Sequence, residues 1–226
     1  MEWLESFMPN VVIYWHEFMQ SCSATAQMFL IGGSISLIIG FFFGVLLIIT
    51  RTGGISENRS VYGFVNFFIN IFRSVPFIIL LIFLIPFTRM VMGTAIGVKG
   101  AIIPLCFGCV PFFTRQVETA LSTVDPGKVE AARAMGSGTA GIVFRVYLHE
   151  AVPDLIRVMT TMAGAVGAGG IGSFAINYGQ NLHHQDIVNV CVLLLLILVS
   201  LMQTTGSTLA RKTTNRSLFR KRNGKE

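Results

Sequence analysis

The chain has 226 residues, enough for one domain, but hydrophobic residues make up 53% of it and charged residues only 12%, about half the charged share of a soluble protein. A water-soluble fold of this size leaves much of its surface exposed and could not hide so much apolar area, so a bilayer-embedded chain is implied. The net charge of +6 does not indicate nucleic-acid binding: seven of the 17 Lys and Arg residues follow Ala210, at Arg211, Lys212, Arg216, Arg220, Lys221, Arg222 and Lys225, a basic tail that reads as an anchor facing anionic lipid.

The first residues, MEWLESF, carry acids where an export signal needs basic residues, so no cleaved signal is expected. Met19 to Thr50 holds no charge and includes SLIIGFFFGVLLII. A helix needs about 20 apolar residues to cross ~30 Å of hydrocarbon, and this stretch supplies them. Ser74 to Thr88 and Gly100 to Thr114 are shorter charge-free windows, bounded by Arg73, Arg89, Lys99 and Arg115. Basic residues at such boundaries can snorkel to the interfaces and lengthen each span. Pro76, Pro86, Pro104 and Pro111 fall in or beside these windows, where kinks rather than breaks are expected. Val158 to Gln185 is uncharged but Gly- and Ala-rich, and hydropathy leaves it undecided. Ile187 to Ala210, with VLLLLILVSL, is a clear span.

Charge decides the count. Five spans, at about 26–50, 72–92, 97–114, 158–176 and 187–209, with the C-terminus inside, place all Lys and Arg on the inner side except Arg89 and Lys99. That is the asymmetry the positive-inside rule demands. Without the fourth span the basic tail and the basic loop of about 115–157 would fall on opposite sides. The N-terminus, with Glu2, Glu5 and Glu17 and the interfacial Trp3, Tyr14 and Trp15, then lies outside.

The 115–157 loop carries charges of both signs, as a surface that meets a cytoplasmic partner would. Within DPGKVEAARAMGSG, Asp125 suits an N-cap, Pro126 the first helical position and Gly136 the position past the end. A short helix from about Pro126 to Met135 is predicted, and a second from near Thr139.

Glu130-Ala131-Ala132, followed three residues later by Gly136, resembles the EAA signature of ABC importer permeases. NIFRSVPFIILLIFLIPFTR, EAARAMG and AVGAGGIG extend that likeness, from about Ser34 to Met202, to the permease subunits of the methionine importers. The resemblance implies an all-α membrane protein of five transmembrane helices with a cytoplasmic coupling-helix loop, the type I ABC importer permease fold. It implies a homodimer in the cell inner membrane, two copies of an ABC ATPase subunit, and an extracytoplasmic binding protein that delivers D- or L-methionine. Glu130, Ala131, Ala132 and Gly136 would then form the ATPase-coupling helix. No ATP hydrolysis and no cofactor are expected in this chain, ATP and Mg belonging to the partner ATPase. A permease for another amino acid or a small anion is the alternative, as is a secondary transporter. The last usually carries ionisable residues inside its spans, and the windows above hold none.

Two departures from the family pattern stand out. Leu148-His149 replaces the usual Leu-Pro, restoring a backbone N–H that could loosen the turn after the coupling helices. The stretch from Pro153 to AVGAGG is roughly ten residues short, about 15 Å of helix, which implies that the fourth span recruits Ala165 to Ile176 or is displaced, and that transport is weakened.

The remaining motifs read as structural. Gly167, Gly169 and Gly172 match G-x-G-x-x-G, but a dinucleotide site needs a strand before it. Close helix packing is expected instead, with Gly164 and Ala168 spaced as small-xxx-small and Gly167 beside them, bordering the substrate path. His183, His184 and Asp186 lack a convergent further ligand, so no metal site is expected. Cys106 and Cys109 form a CxxC inside an apolar run and read as small buried hydrophobes. No catalytic constellation stands out.

Overall fold

A computed structural model describes residues 8–161 and 170–223, without the side chains of 159–161 and 211–223. All regular structure among them is helical. Helix α1 (Pro9–Ile13) leads into α2 (Trp15–Thr50), followed by α3 (Arg59–Ser74), α4 (Phe77–Met92) and α5 (Gly97–Ser122). Helix α6 (Pro126–Ala134) and α7 (Thr139–Ile142) come next, and a π-helical stretch (Val143–Tyr147) carries α7 into α8 (Leu148–Thr161). Helix α9 (Gly170–Phe174), a second π-helical stretch (Ala175–Gln180) and α10 (Gln185–Asn223) complete the chain.

Among the described residues three helices are long and apolar enough to cross a membrane: α2, α5, and α10 up to Ala210. α3 and α4 meet that test only as a pair, and their axes are bent by 108°. The break has a local cause. Val75 is extended (φ −84°, ψ 124°), because the ring of Pro76 disfavours the helical conformation in the residue before it. Here the expected kink is a true break, and residues 72–74 belong to α3 rather than to the helix that follows. Pro86, Pro104 and Pro111 do lie inside continuous helices. Helix α5 also runs past residue 114 to Ser122, taking Arg115 and Glu118 into the helix. Of the segment expected to span at 158–176, residues 162–169 lie outside the described part.

The chain divides into two compact units. The first holds the described parts of 1–35, 77–107 and 162–202. Its core gathers Val11, Phe18, Ile171, Phe174, Ile187 and Cys191, all at most 5% exposed. Tyr14 packs on Tyr178 with ring centroids 4.9 Å apart, and Phe18 on Phe174 at 5.6 Å. The Asp186 carboxylate accepts the backbone N–H and the side-chain amide of Asn10, both at 3.0 Å. That contact pins α1 to the start of α10, a role for Asp186 that the sequence did not reveal.

The second unit holds 36–76, 108–161 and the described part of 203–226. There α2 and α5 approach through Gly40 and Gly44. A Cβ on Gly40 would fall 2.4 Å from the Phe113 Cβ, and one on Gly44 2.6 Å from the Val117 Cγ1. GFFFG is thus a GxxxG packing motif.

Candidate functional site

The segment from Arg115 to Arg157 is the longest hydrophilic stretch of the chain, and its centre is α6. Asp125 caps its first turn, accepting from the Gly127 N–H at 2.9 Å, with Pro126 at the first helical position. The far end closes with a Schellman motif: Gly136 N–H donates to the Arg133 carbonyl at 2.9 Å and Ser137 N–H to the Ala132 carbonyl at 3.0 Å. Gly136 has φ +78°, a left-handed conformation that an L side chain adopts only at a cost. The cap and stop residues therefore sit where the sequence reading put them.

Residues on a helix turn by 100° each, and this separates the two alanines of the motif. Val129 and Ala132 are buried against the chain's own second unit, Ala132 to 5% exposure. Glu130, Ala131 and Ala134 are exposed, as is Gly127 one turn earlier. The outward face is thus Gly127, Glu130, Ala131 and Ala134. Only one alanine of the pair expected to form a shared docking face is presented on it. Two further apolar side chains stand out beside this face, Met135 at 78% and Phe144 at 69% exposure. Sequence reading did not single them out. The available signal was a large apolar residue in a polar segment.

Helix α6 is tied at both sides. The Lys128 ammonium pairs with Glu150 of α8 at 2.5 Å. The Arg133 guanidinium donates to the Gly54 carbonyl, at 2.9 Å, in the turn between α2 and α3. That turn is itself closed by Glu57, which accepts from the Gly53 N–H (3.0 Å) and Arg59 Nε (3.2 Å). The Gly53 hydrogen bond, then the Arg59 contact, hold the Glu57 carboxyl below its usual range. His149 lies exposed within the unbroken run from Thr139 to Thr161, so no turn follows it that its N–H could loosen.

Of the other residues singled out in the sequence, Gly164, Gly167, Ala168 and Gly169 lie outside the described residues. Their neighbour Gly170 is buried, where an added Cβ would meet the Ser21 carbonyl at 2.6 Å, and Ile171 N–H donates to Thr25 Oγ1 at 2.8 Å. Gly172 faces open space. His183 has φ 58°, and the His184 ring lies 6.2 Å from that of Tyr14. Among the described residues no group of three or more His, Cys, Asp or Glu could hold a metal. All four cysteines are free thiols.

Membrane-length helices and a capped, tethered short helix with an outward face of small residues define a multi-pass membrane transport component. Residues 36–204 match the family described as binding-protein-dependent transport system inner membrane component, and the chain belongs to it. It is therefore a multi-pass inner-membrane permease of an ABC transporter. It is 40% identical over 198 residues to the probable D-methionine transport system permease protein MetI of Pasteurella multocida, covering 83% of this chain and 91% of that one. It is 46% identical over 149 residues to the D-methionine transport system permease protein MetI of Escherichia coli K12, covering 66% and 69%. The solved MetNI methionine ABC transporter, in an inward-facing form, superposes with a TM-score of 0.82 at 41% identity, over 89% of this chain and 97% of that one. An amino acid ABC transporter shares the fold at 16% identity, with a TM-score of 0.68. Since 83% of this chain is about 188 residues, the 198-residue Pasteurella alignment leaves about ten positions without a counterpart here.

Proposed function

We propose that this chain is the membrane-spanning subunit through which methionine enters the cell, driven by ATP hydrolysed on a separate subunit. The observation that carries this is α6: a short helix, capped at both ends and tied to α8 and the 51–58 turn, with Gly127, Glu130, Ala131 and Ala134 facing outward. Small side chains let such a helix seat closely in a cleft on an ATPase subunit, and Glu130 offers a charge beside them. Gly136 supplies the sharp exit. Ala132 serves from behind, seating α6 on its own chain. Closure of the ATPase dimer would push α6 as a rigid lever and switch the membrane helices between inward- and outward-open states.

The likeness to the solved methionine transporter and to the methionine permeases supports the substrate, two copies of this chain and a partner ATPase that holds ATP and Mg. A binding protein outside the membrane completes the importer, and this chain needs no cofactor of its own. The excess of Lys and Arg on one side supports an external N-terminus and a cytoplasmic C-terminus. Gly164, Gly167 and Ala168 pack helices and border the path. A secondary transporter is disfavoured because Glu118, the carboxylate that α5 carries, is paired with Arg115 at 2.7 Å.

The test is co-purification and uptake. An ATPase subunit that binds the wild-type chain but not Ala131→Glu, together with ATP-dependent methionine uptake in reconstituted vesicles, supports the reading. Equal recovery with both chains refutes the docking face. The missing stretch of about ten residues is proposed to weaken transport, since it amounts to half a span. Inserting ten apolar residues after Arg157 should raise uptake, and no gain would count against this.

A further inference from the structure

One face of α3 lines an open groove of about 630 Å³, formed by Gly63, Asn66, Phe67, Asn70, Ile71 and Ser74, with Val75 at its end. The six helical positions recur at three- and four-residue intervals and make a single stripe. Behind it stands Arg115 of α5. Its Nη2 donates to Oδ1 of Asn66 and to Oδ1 of Asn70 (2.8 Å for the latter), while its Nη1 donates to Glu118 at 2.7 Å.

Arginine has donors and no acceptor, so it dictates which way both amides point. Each carbonyl oxygen faces the guanidinium, and the NH2 groups are left to face elsewhere. Among the described residues the Asn66 NH2 group has no partner, and the Asn70 NH2 group makes one long contact of 3.5 Å to Asn66 Oδ1. The cation behind polarises these amides and strengthens them as donors. One position further along, the Ser74 hydroxyl donates to the Asn70 carbonyl at 2.8 Å, which leaves its oxygen free to accept. Phe67 is 60% and Ile71 41% exposed between these polar groups. In the five-span reading residues 51–71 precede the second span on the inner side, where free amide donors face water. The groove is open and mostly apolar, with a few placed polar groups along it.

We propose that the α3 groove is a station on the translocation path that takes an amino acid as a zwitterion. The carboxylate meets the Asn66 and Asn70 amide donors, the ammonium meets the Ser74 oxygen, and the apolar side chain lies against Phe67 and Ile71. Arg115 is a positioning residue: it orients the amides and does not touch the ligand. The proposal deepens the methionine reading and rests on it for the ligand used first.

The experiment uses the full chain in nanodiscs, with its four cysteines replaced by alanine and Ile71→Cys as reporter. Millimolar L-methionine should slow modification by a water-soluble thiol reagent at least fivefold. Asn66→Asp, which sets a negative charge against the carboxylate, should abolish the protection, and Asn66→Gln should keep part of it. If Asn66→Asp does not fold, Asn66→Ser should cut the protection severalfold. Should methionine give no protection while another zwitterionic amino acid does, the substrate assignment falls and the groove stands. Protection by none of the amino acids, or protection untouched by both Asn66→Asp and Asn66→Ser, overturns the proposal.

Discussion

The Arg133 guanidinium reaches the Gly54 carbonyl at 2.9 Å and so joins the α6 helix to the turn that follows α2. A lever transmits force only if its ends are held, and among the described residues this bond and the Lys128–Glu150 pair are polar ties that hold it. Arg133→Ala removes one partly exposed hydrogen bond, worth about 0.5–1.5 kcal/mol. Global stability should change by no more than that. ATP hydrolysed per methionine transported should rise, because the lever yields. An unchanged ratio in proteoliposomes would show that the tie carries no force.

Ala131 and Ala132 should part company on substitution. Ala131→Glu places a charge on the outward face and should leave the thermal midpoint within a degree or two, yet abolish ATPase recovery. Ala132→Glu buries a carboxylate without a partner, which costs several kcal/mol, and should lower the midpoint as well. Paired thermal scans and pull-downs separate the two effects. An Ala131→Glu chain that binds the ATPase normally would contradict the orientation of α6.

Gly136 holds φ +78°. Replacement by alanine should cost about 1–2 kcal/mol, the usual penalty of a left-handed residue. Asparagine should cost less, since it tolerates that region better. Denaturation midpoints of the three chains should rank Gly, Asn, Ala.

Gly40→Leu and Gly44→Leu should disrupt α2 against α5, since even a methyl group at either place would fall 2.4–2.6 Å from a neighbouring side-chain carbon. Overpacking of this kind typically costs 1–3 kcal/mol, and two sites in one interface will not add simply. Loss of monodisperse protein on gel filtration is the expected readout. Wild-type behaviour of both variants would mean that the helices can separate freely.

Partition into lipid is a sum over residues and needs no tertiary partner, so the charge-free runs in α2 and α10 were legible directly. The same holds for α6, whose Asp125, Pro126 and Gly136 act through the backbone of their own turn. Pro76 was visible too, but whether a proline kinks or breaks a helix depends on what neighbours can satisfy, and only the folded chain separates Pro76 from Pro86, Pro104 and Pro111. Sequence order likewise could not say which of Ala131 and Ala132 faces out. That depends on the side of α6 that Val129 commits to burial. Nor could it reveal that Arg115 on α5 aims two asparagines of α3, 45 and 49 residues earlier. Composition and local backbone chemistry decide that this chain enters a membrane and carries a capped helix outside its apolar runs. Which atoms are left facing outward, and so what the surfaces can bind, is set by contacts between helices distant in the sequence, because a side chain's free donors are those its neighbours have not taken.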